Sequence, residues 1–320
     1  MAGPGVVQAD PPVIGLDHTH GHFSAEIEPG LAVTPGQRFV VRAASLLTNP
    51  LFGKSDEYER MAIPITGPIH VTGAVAGATL RVDIHRIGLA DRGAMVTIPG
   101  RGAFGGAPLG RYGRTMEISG GFVHFDEDTR IPVDPMVGKI GVAVPGPPPV
   151  SSTVGTFGGN LDCREIRAGC SVFLPVQVDG AYLYVGDLHA AQGDGECSMT
   201  AVEVEGEVEL SCSLVPEVTL ERPMLVTPTS LFTIGDGDDL DAAARTALDD
   251  MLALVTGDRG WSREKAAMFL SAAADVAVCQ IVNPRASARA GVLLDYLRSR
   301  RLRETFRPLV PVVNEREEDA

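Results

Sequence analysis

One short segment concentrates the groups in this chain that could do chemistry. Gly186 to Glu196 reads Gly-Asp-Leu-His-Ala-Ala-Gln-Gly-Asp-Gly-Glu and so carries Asp187, His189, Gln192, Asp194 and Glu196. Carboxylates and an imidazole together can hold a divalent ion, move protons, or do both. Asp187 and His189 are two residues apart, so they share a face if the strand predicted at Tyr182 to Val185 runs on through them. The glycines let the backbone turn tightly and approach a ligand. Gly-Asp-Gly is equally an ordinary turn sequence, so local chemistry alone leaves site and turn both open.

Two further polar groups stand apart from this one. Gly158-Gly159-Asn160-Leu161-Asp162 reads by itself as a turn. Asp17 to His22 contains a His-x-His-x-His run at His18, His20 and His22, which has metal-site spacing but lies in an irregular N-terminal stretch. His70, His85 and His124 are isolated in strand-like surroundings. No Walker-type Gly-Lys-Ser/Thr and no Gly-x-Ser-x-Gly elbow occurs. The five cysteines, Cys163, Cys170, Cys197, Cys212 and Cys279, form no Cys-x-x-Cys pair, show no local activating base, and read as reduced thiols of a cytoplasmic protein.

These residues must be positioned by a mainly β scaffold. With 37 glycines and 23 prolines in 320 residues, short strands and many turns are favoured over long helices. Arg38 to Ala44 and Thr79 to Ile87 read as strands, the second with Leu80, Val82 and Ile84 on one face. Ser171 to Val178 is another. Val202 to Cys212 reads as a hairpin turning at Gly206, with Glu203, Glu205, Glu207 and Glu209 on a solvated face. Residues 88–115, rich in Gly and Arg, read as a long loop. Pro145 to Pro149 reads as a rigid connector. Beyond it the character changes: Leu240 to Val255 has helical spacing, capped by Asp238 or Asp239 and stopped at Gly257. A second helix is predicted from Ser262 to Ala273, a strand from Asp275 to Val282, and a further helix between Arg285 and Arg300. The resulting division is an N-terminal β part (1–145), a second β unit carrying the site loops (146–222) and an α/β region (223–320).

Composition narrows the function classes. Hydrophobic residues make up 44% and charged residues 21%, enough to bury a real core. A net charge of −14 argues against nucleic acid and anionic membranes as partners. The basic run Arg298 to Arg303 and the acidic tail Glu315 to Asp319 read as solvated surface. The first residues lack the basic and apolar regions of a secretory leader, and no apolar run reaches the length of a membrane span.

Taken in order, Gly158 to Asp162, then Leu174-Pro175-Val176, then Gly186 to Glu196 resemble the acetamidase/formamidase family. The likeness extends to His22 through Gly36, to Gly67 through Ala74, and to Ala273 through Pro284. It implies hydrolysis of the C–N bond of short amides, and a homo-oligomer, taken as a dimer. It also implies a jelly-roll-like β sandwich, a small β unit and an α/β C-terminal part. Phe157 departs from the His or Tyr of many relatives, and 88–115 does not align. On this reading Asp162, Asp187, His189 and His20 are candidate ligands of a divalent metal, zinc or calcium. Glu196 is the general base, Asn160 or Gln192 donates to the substrate carbonyl, and Asp194 completes the catalytic set. Two alternatives stay open: a non-enzymatic β protein binding a metal or small ligand, and another metal-dependent hydrolase or lyase.

Overall fold

The computed structural model describes residues 10–49, 62–216 and 218–309; the N-terminal residues read for a leader and the acidic tail lie outside them. The chain is mainly β, as its turn-rich sequence predicts, and its strands join a curled, largely antiparallel sheet. Leu80, Val82 and Ile84 are completely buried, as their alternation requires. The main core runs from Ile14 to Cys279 and takes residues from both sides of Pro145, including Ile140, Val142, Val154 and Leu161. A second core, with Phe173, Leu231, Met251 and Phe306, lies under the C-terminal helices.

Three local expectations fail, each because tertiary pairing overrides local composition. The loop expected at 88–115 is half strand. Thr79–Thr97 is one 19-residue strand, and Tyr112–Ser119 pairs antiparallel with its far end, from Arg92–Glu117 to Thr97–Tyr112. Only the stretch between them remains irregular. The expected hairpin at Gly206 is instead the continuous strand Glu203–Val215, which pairs with Thr79–Thr97 on one side and Arg38–Ala43 on the other. Gly206 marks a register shift in that strand, and a Cβ there would collide with the carbonyl of Gly88. The helix expected within 285–300 is the strand Ala286–Leu293, inserted between Ser230–Gly237 and Asp275–Gln280. Its alanines favour a helix in isolation, but their small size lets the overlying helix sit close.

That helix, Leu240–Arg259, is capped by Asp239, whose carboxylate accepts from the Ala242 amide at 2.7 Å. It runs through Gly257 and stops at Gly260, which adopts φ 60°. Ser262 caps Arg263–Ala273 as expected. Among the described residues no helix is long and apolar enough to cross a membrane.

Candidate active site

The strand Met136–Val142, buried at every position, is what unites the two glycine-rich loops. On one edge it pairs with Gly158–Asn160, setting Lys139 opposite Asn160; on the other it pairs with Leu183–His189, setting Lys139 opposite Gly186. Asp162 and Asp187 therefore approach each other across a single strand. Gly138, between them, has no alternative. A Cβ there would lie 2.7 Å from Asp162 Oδ1 and 2.9 Å from the Asp187 carbonyl. Glu203 enters from the third strand, directly opposite His189. Glu196 arrives on the loop between. Asp162, Asp187 and Glu196 have φ of 45°, 61° and 49°, a left-handed backbone that costs non-glycine residues energy and that clusters here.

The side chains converge on a small cavity of about 30 Å³ lined by Lys139, Asn160, Asp187, Glu196 and Glu203. Asp162, His189 and Glu196 offer ligand atoms within 4.8 Å of one another, and so do Asp187, His189 and Glu203. Lys139 Nζ donates to the Ile63 carbonyl at 2.8 Å and lies 3.3 Å from Asp187 Oδ2. Asn283 donates to Asp162 Oδ2 at 3.0 Å, and the Ala201 amide donates to Glu196 Oε1 at 3.0 Å and to Glu203 Oε1 at 3.1 Å. After these bonds, Asn160 Oδ1, Asp162 Oδ1, Asp187 Oδ1, His189 Nε2, Glu196 Oε2 and Glu203 Oε2 are buried without a hydrogen-bond partner. His189 Nε2 is 3.1 Å from Glu203 Oε2, but the approach is poorly aligned for a hydrogen bond.

Those six orphaned atoms sit in one place, and five are oxygens. Buried oxygen acceptors at such density need protons or a cation. The electrostatics agree. Burial, with the charge of Asp187 beside it, pushes Asp162 up to about 6. Burial raises Glu203 to about 7, and burial plus the charge of Asp162 raises Glu196 well above the carboxylate range. Against its own burial, Asp187 is held well below that range by Lys139 and His189. Against its burial, His189 is raised well above an ordinary imidazole by Glu203 and Asp187. Four carboxylates face one ammonium and one imidazole, so when the carboxylates ionise the site holds more negative charge than these two can balance, and a divalent ion would take up the excess. The donor set therefore fits a metal.

Asn160, Asp162, Asp187, His189 and Glu196 are thus brought together as the sequence suggested. Gln192 stands behind them. Its amide nitrogen donates to the Asp162 carbonyl at 2.6 Å, which leaves its oxygen to accept from His189 Nδ1 at 2.8 Å. With Nδ1 carrying the hydrogen, Nε2 is the free lone pair of the neutral ring. Asp194 and His20 are elsewhere. Asp194 makes a two-pronged pair with Arg289, at 2.9 and 3.1 Å. His20 pairs opposite Ile65, its ring edge-on to Tyr184, and belongs to neither ligand group. Phe157 is a core residue against Phe23. The sequence reading missed Lys139, because Met136–Val142 was not recognised as a strand. It assigned Glu203 to a solvated face, because the register shift at Gly206 was not visible in a regular alternation.

Asp194→Asn is accordingly expected to keep turnover within about threefold of wild type while destabilising the fold by about 1–2 kcal/mol, the scale of a charged hydrogen bond. Steady-state kinetics and urea unfolding check this; a hundredfold loss of kcat in a stable variant would return Asp194 to the catalytic set.

Comparison with known proteins supports the same reading. The acetamidase/formamidase family model matches residues 149–292. The crystal structure of an acetamidase from Bacillus halodurans superposes with a TM-score of 0.85 at 35% identity, covering 89% of this chain and 98% of that one. The chain belongs to the acetamidase/formamidase family. A second family structure, a recombinant predicted acetamidase/formamidase from Thermoanaerobacter tengcongensis, superposes equally well at 33% identity, covering 92% of this chain and 98% of that one. A formamidase of Methylophilus methylotrophus is 32% identical over 98 residues, 28% of this chain. The segments matched in the curated relatives are short, spanning 18%, 24% and 14% of their lengths. In this family member the matched region holds the carboxylates, the imidazole and the amides of the site, while Ile63, Gly138 and Lys139 lie before it.

Proposed function

We propose that the protein hydrolyses the C–N bond of short linear amides to a carboxylic acid and ammonia, using water activated at a divalent metal site. The observation that carries this is the convergence of six unpartnered, buried polar atoms in and beside one small cavity, in a chain of this family. Asp187, His189 and Glu203, one of the two groups whose ligand atoms lie within 4.8 Å of one another, would hold the ion with Asp162 beside them, and Glu203 takes the place first given to His20. An imidazole among the donors favours zinc over calcium, which prefers oxygen alone. Such an ion supplies Lewis acidity and lowers the pKa of water.

The attacking group is taken as water: among the described residues the one hydroxyl lining the cavity, that of Thr200, is tied to the Val96 backbone, accepting from its amide at 3.0 Å. Glu196 takes the proton from water as its oxygen bonds to the carbonyl carbon. Glu196 then returns that proton to nitrogen as the C–N bond breaks and ammonia leaves. The free carboxylate oxygen of Glu196 and its position on the cavity wall suit both transfers. The Asn160 side-chain amide can turn its NH₂ toward the developing oxyanion. Gln192 only positions, since both ends of its amide are already engaged.

The test combines ammonia release from formamide and acetamide with metal analysis of the purified chain. We expect about one ion per chain. Chelation should bring ammonia release to background, and zinc should restore it where calcium does not. Full turnover by ion-free protein would remove the metal from the mechanism, and no ammonia from any amide would remove the amidase reading.

A further inference from the structure

Beside the ligand cavity lies a much larger one, about 580 Å³, with Glu196 and Thr200 in the walls of both. Its other walls are largely apolar: Met95, Phe125, Ile131, Pro132, Ala191 and Val202. The charges at its margin satisfy each other, Arg167 holding both oxygens of Asp134 at 3.0 and 3.2 Å and Arg164 lying 3.7 Å from the same carboxylate. The Arg114 guanidinium covers the Phe125 ring from 5.0 Å. Among the described residues the charged side chains in its walls are Asp134, Arg164 and Glu196, and the first two lie against each other. Formamide and acetamide have three and four heavy atoms and occupy on the order of 100 Å³, a few waters' worth. A cavity of this size instead falls in the range of sites for drug-sized ligands, roughly 300–1,000 Å³.

The two cavities divide the work between them. The small one has room for about one water-sized group, and the ion with its water would fill it. The amide meets them at the junction, where a nitrogen substituent finds no room on that side. Glu196, at the junction, is where the departing nitrogen must collect its proton. Any bulk therefore lies on the acyl side and extends past Glu196 into the larger space.

We infer that the substrate class is primary amides with a neutral apolar acyl group, of arylacetamide type, seated between Phe125, Ile131 and Met95. This rests on the amide-hydrolase reading above but makes a separate claim about the pocket. Burying a ring and its methylene is worth well over tenfold in kcat/KM by ordinary transfer free energies.

The experiment uses the metal-loaded whole chain and two readouts. The first is ammonia release from formamide, acetamide, butyramide and phenylacetamide. The second is calorimetric binding of 4-phenylbutan-2-one against acetone, ketones that have no C–N bond to cleave. We expect kcat/KM to rise at least tenfold from acetamide to phenylacetamide, and the phenyl ketone to bind at least tenfold more tightly than acetone. Ile131→Trp, which fills the cavity, should lower both ratios by about tenfold; Phe125→Ala, which removes a wall, should lower them by severalfold and serves if the tryptophan variant does not fold. Tight ketone binding without ammonia from any amide would uphold the pocket and sink the amidase reading. Turnover of formamide or acetamide with no phenyl preference in either readout would overturn the pocket proposal and leave the amidase reading standing.

Discussion

Replacing Glu196 with glutamine is expected to lower kcat by about 10²–10⁴, the usual contribution of a positioned general acid–base group. KM for a given amide should change little, because the shape and the neutral hydrogen-bonding capacity of the side chain are kept. The fold should survive. Glu196 Oε1 accepts from the Ala201 amide, a bond that a glutamine oxygen can also accept, while Oε2 has no partner to lose. In ion-free protein the substitution should raise the melting temperature. A folded-state pKa well above the usual value means that ionised Glu196 costs stability at neutral pH, and the amide removes that cost. Metal content separates base from ligand. One ion per chain with a collapsed kcat supports the base, whereas loss of the ion makes Glu196 part of the metal cage. Near-normal turnover would remove it from the chemistry altogether.

The residues needed for that prediction were legible in the sequence to different depths. Asp187, His189 and Glu196 lie within ten residues of one another, so their types and spacing were enough to nominate them. Asp162 depended on order along the chain, because Gly158 to Asp162 reads as a turn until it is set beside the second loop. The strand between the loops supplies the missing physics. Met136–Val142 carries Gly138 and Gly141 and is buried on both faces, so it shows neither alternation nor a continuous apolar run. Its lysine was invisible for the same reason. Glu203 is the clearest failure. It sits in a regular acidic alternation, and its later members do behave as surface. Arg42 binds Glu207 at 3.0 Å and Arg38 binds Glu209 at 2.6 Å. The shift at Gly206 breaks the alternation, and Glu203, three residues before it, faces the site. A glycine inside a strand pattern was the available signal, read as a turn when it marked a bulge. Asp194 was read the other way, into the catalytic set. Its partner Arg289 comes from a strand expected to be helical, so nothing local revealed the ion pair.

Lys139→Met should have the largest effect on stability. Lys139 is 3% exposed and is the cation nearest Asp187, with Nζ 3.3 Å from Oδ2. Methionine nearly fills the same volume, so packing changes little and the charge is what is lost. Asp187 then remains buried among Asp162, Glu196 and Glu203 with only His189 opposite. Stranding one partner of a buried pair costs about 3–5 kcal/mol. The pH dependence has a definite sign. The folded-state pKa of Asp187 is depressed, so its contribution is present above the ordinary carboxylate value near 4 and is lost as pH falls below it. The deficit of the variant in urea unfolding should therefore be full at pH 7 and narrow as pH drops below about 4. Loading with zinc should narrow it as well, because a divalent ion supplies positive charge to the same carboxylates. A deficit independent of both pH and zinc would mean that Lys139 acts through its bond to the Ile63 carbonyl and not through Asp187. The lysine would then be a brace for the chain around Ile63, and the charge balance of the site would have to be sought in His189 alone.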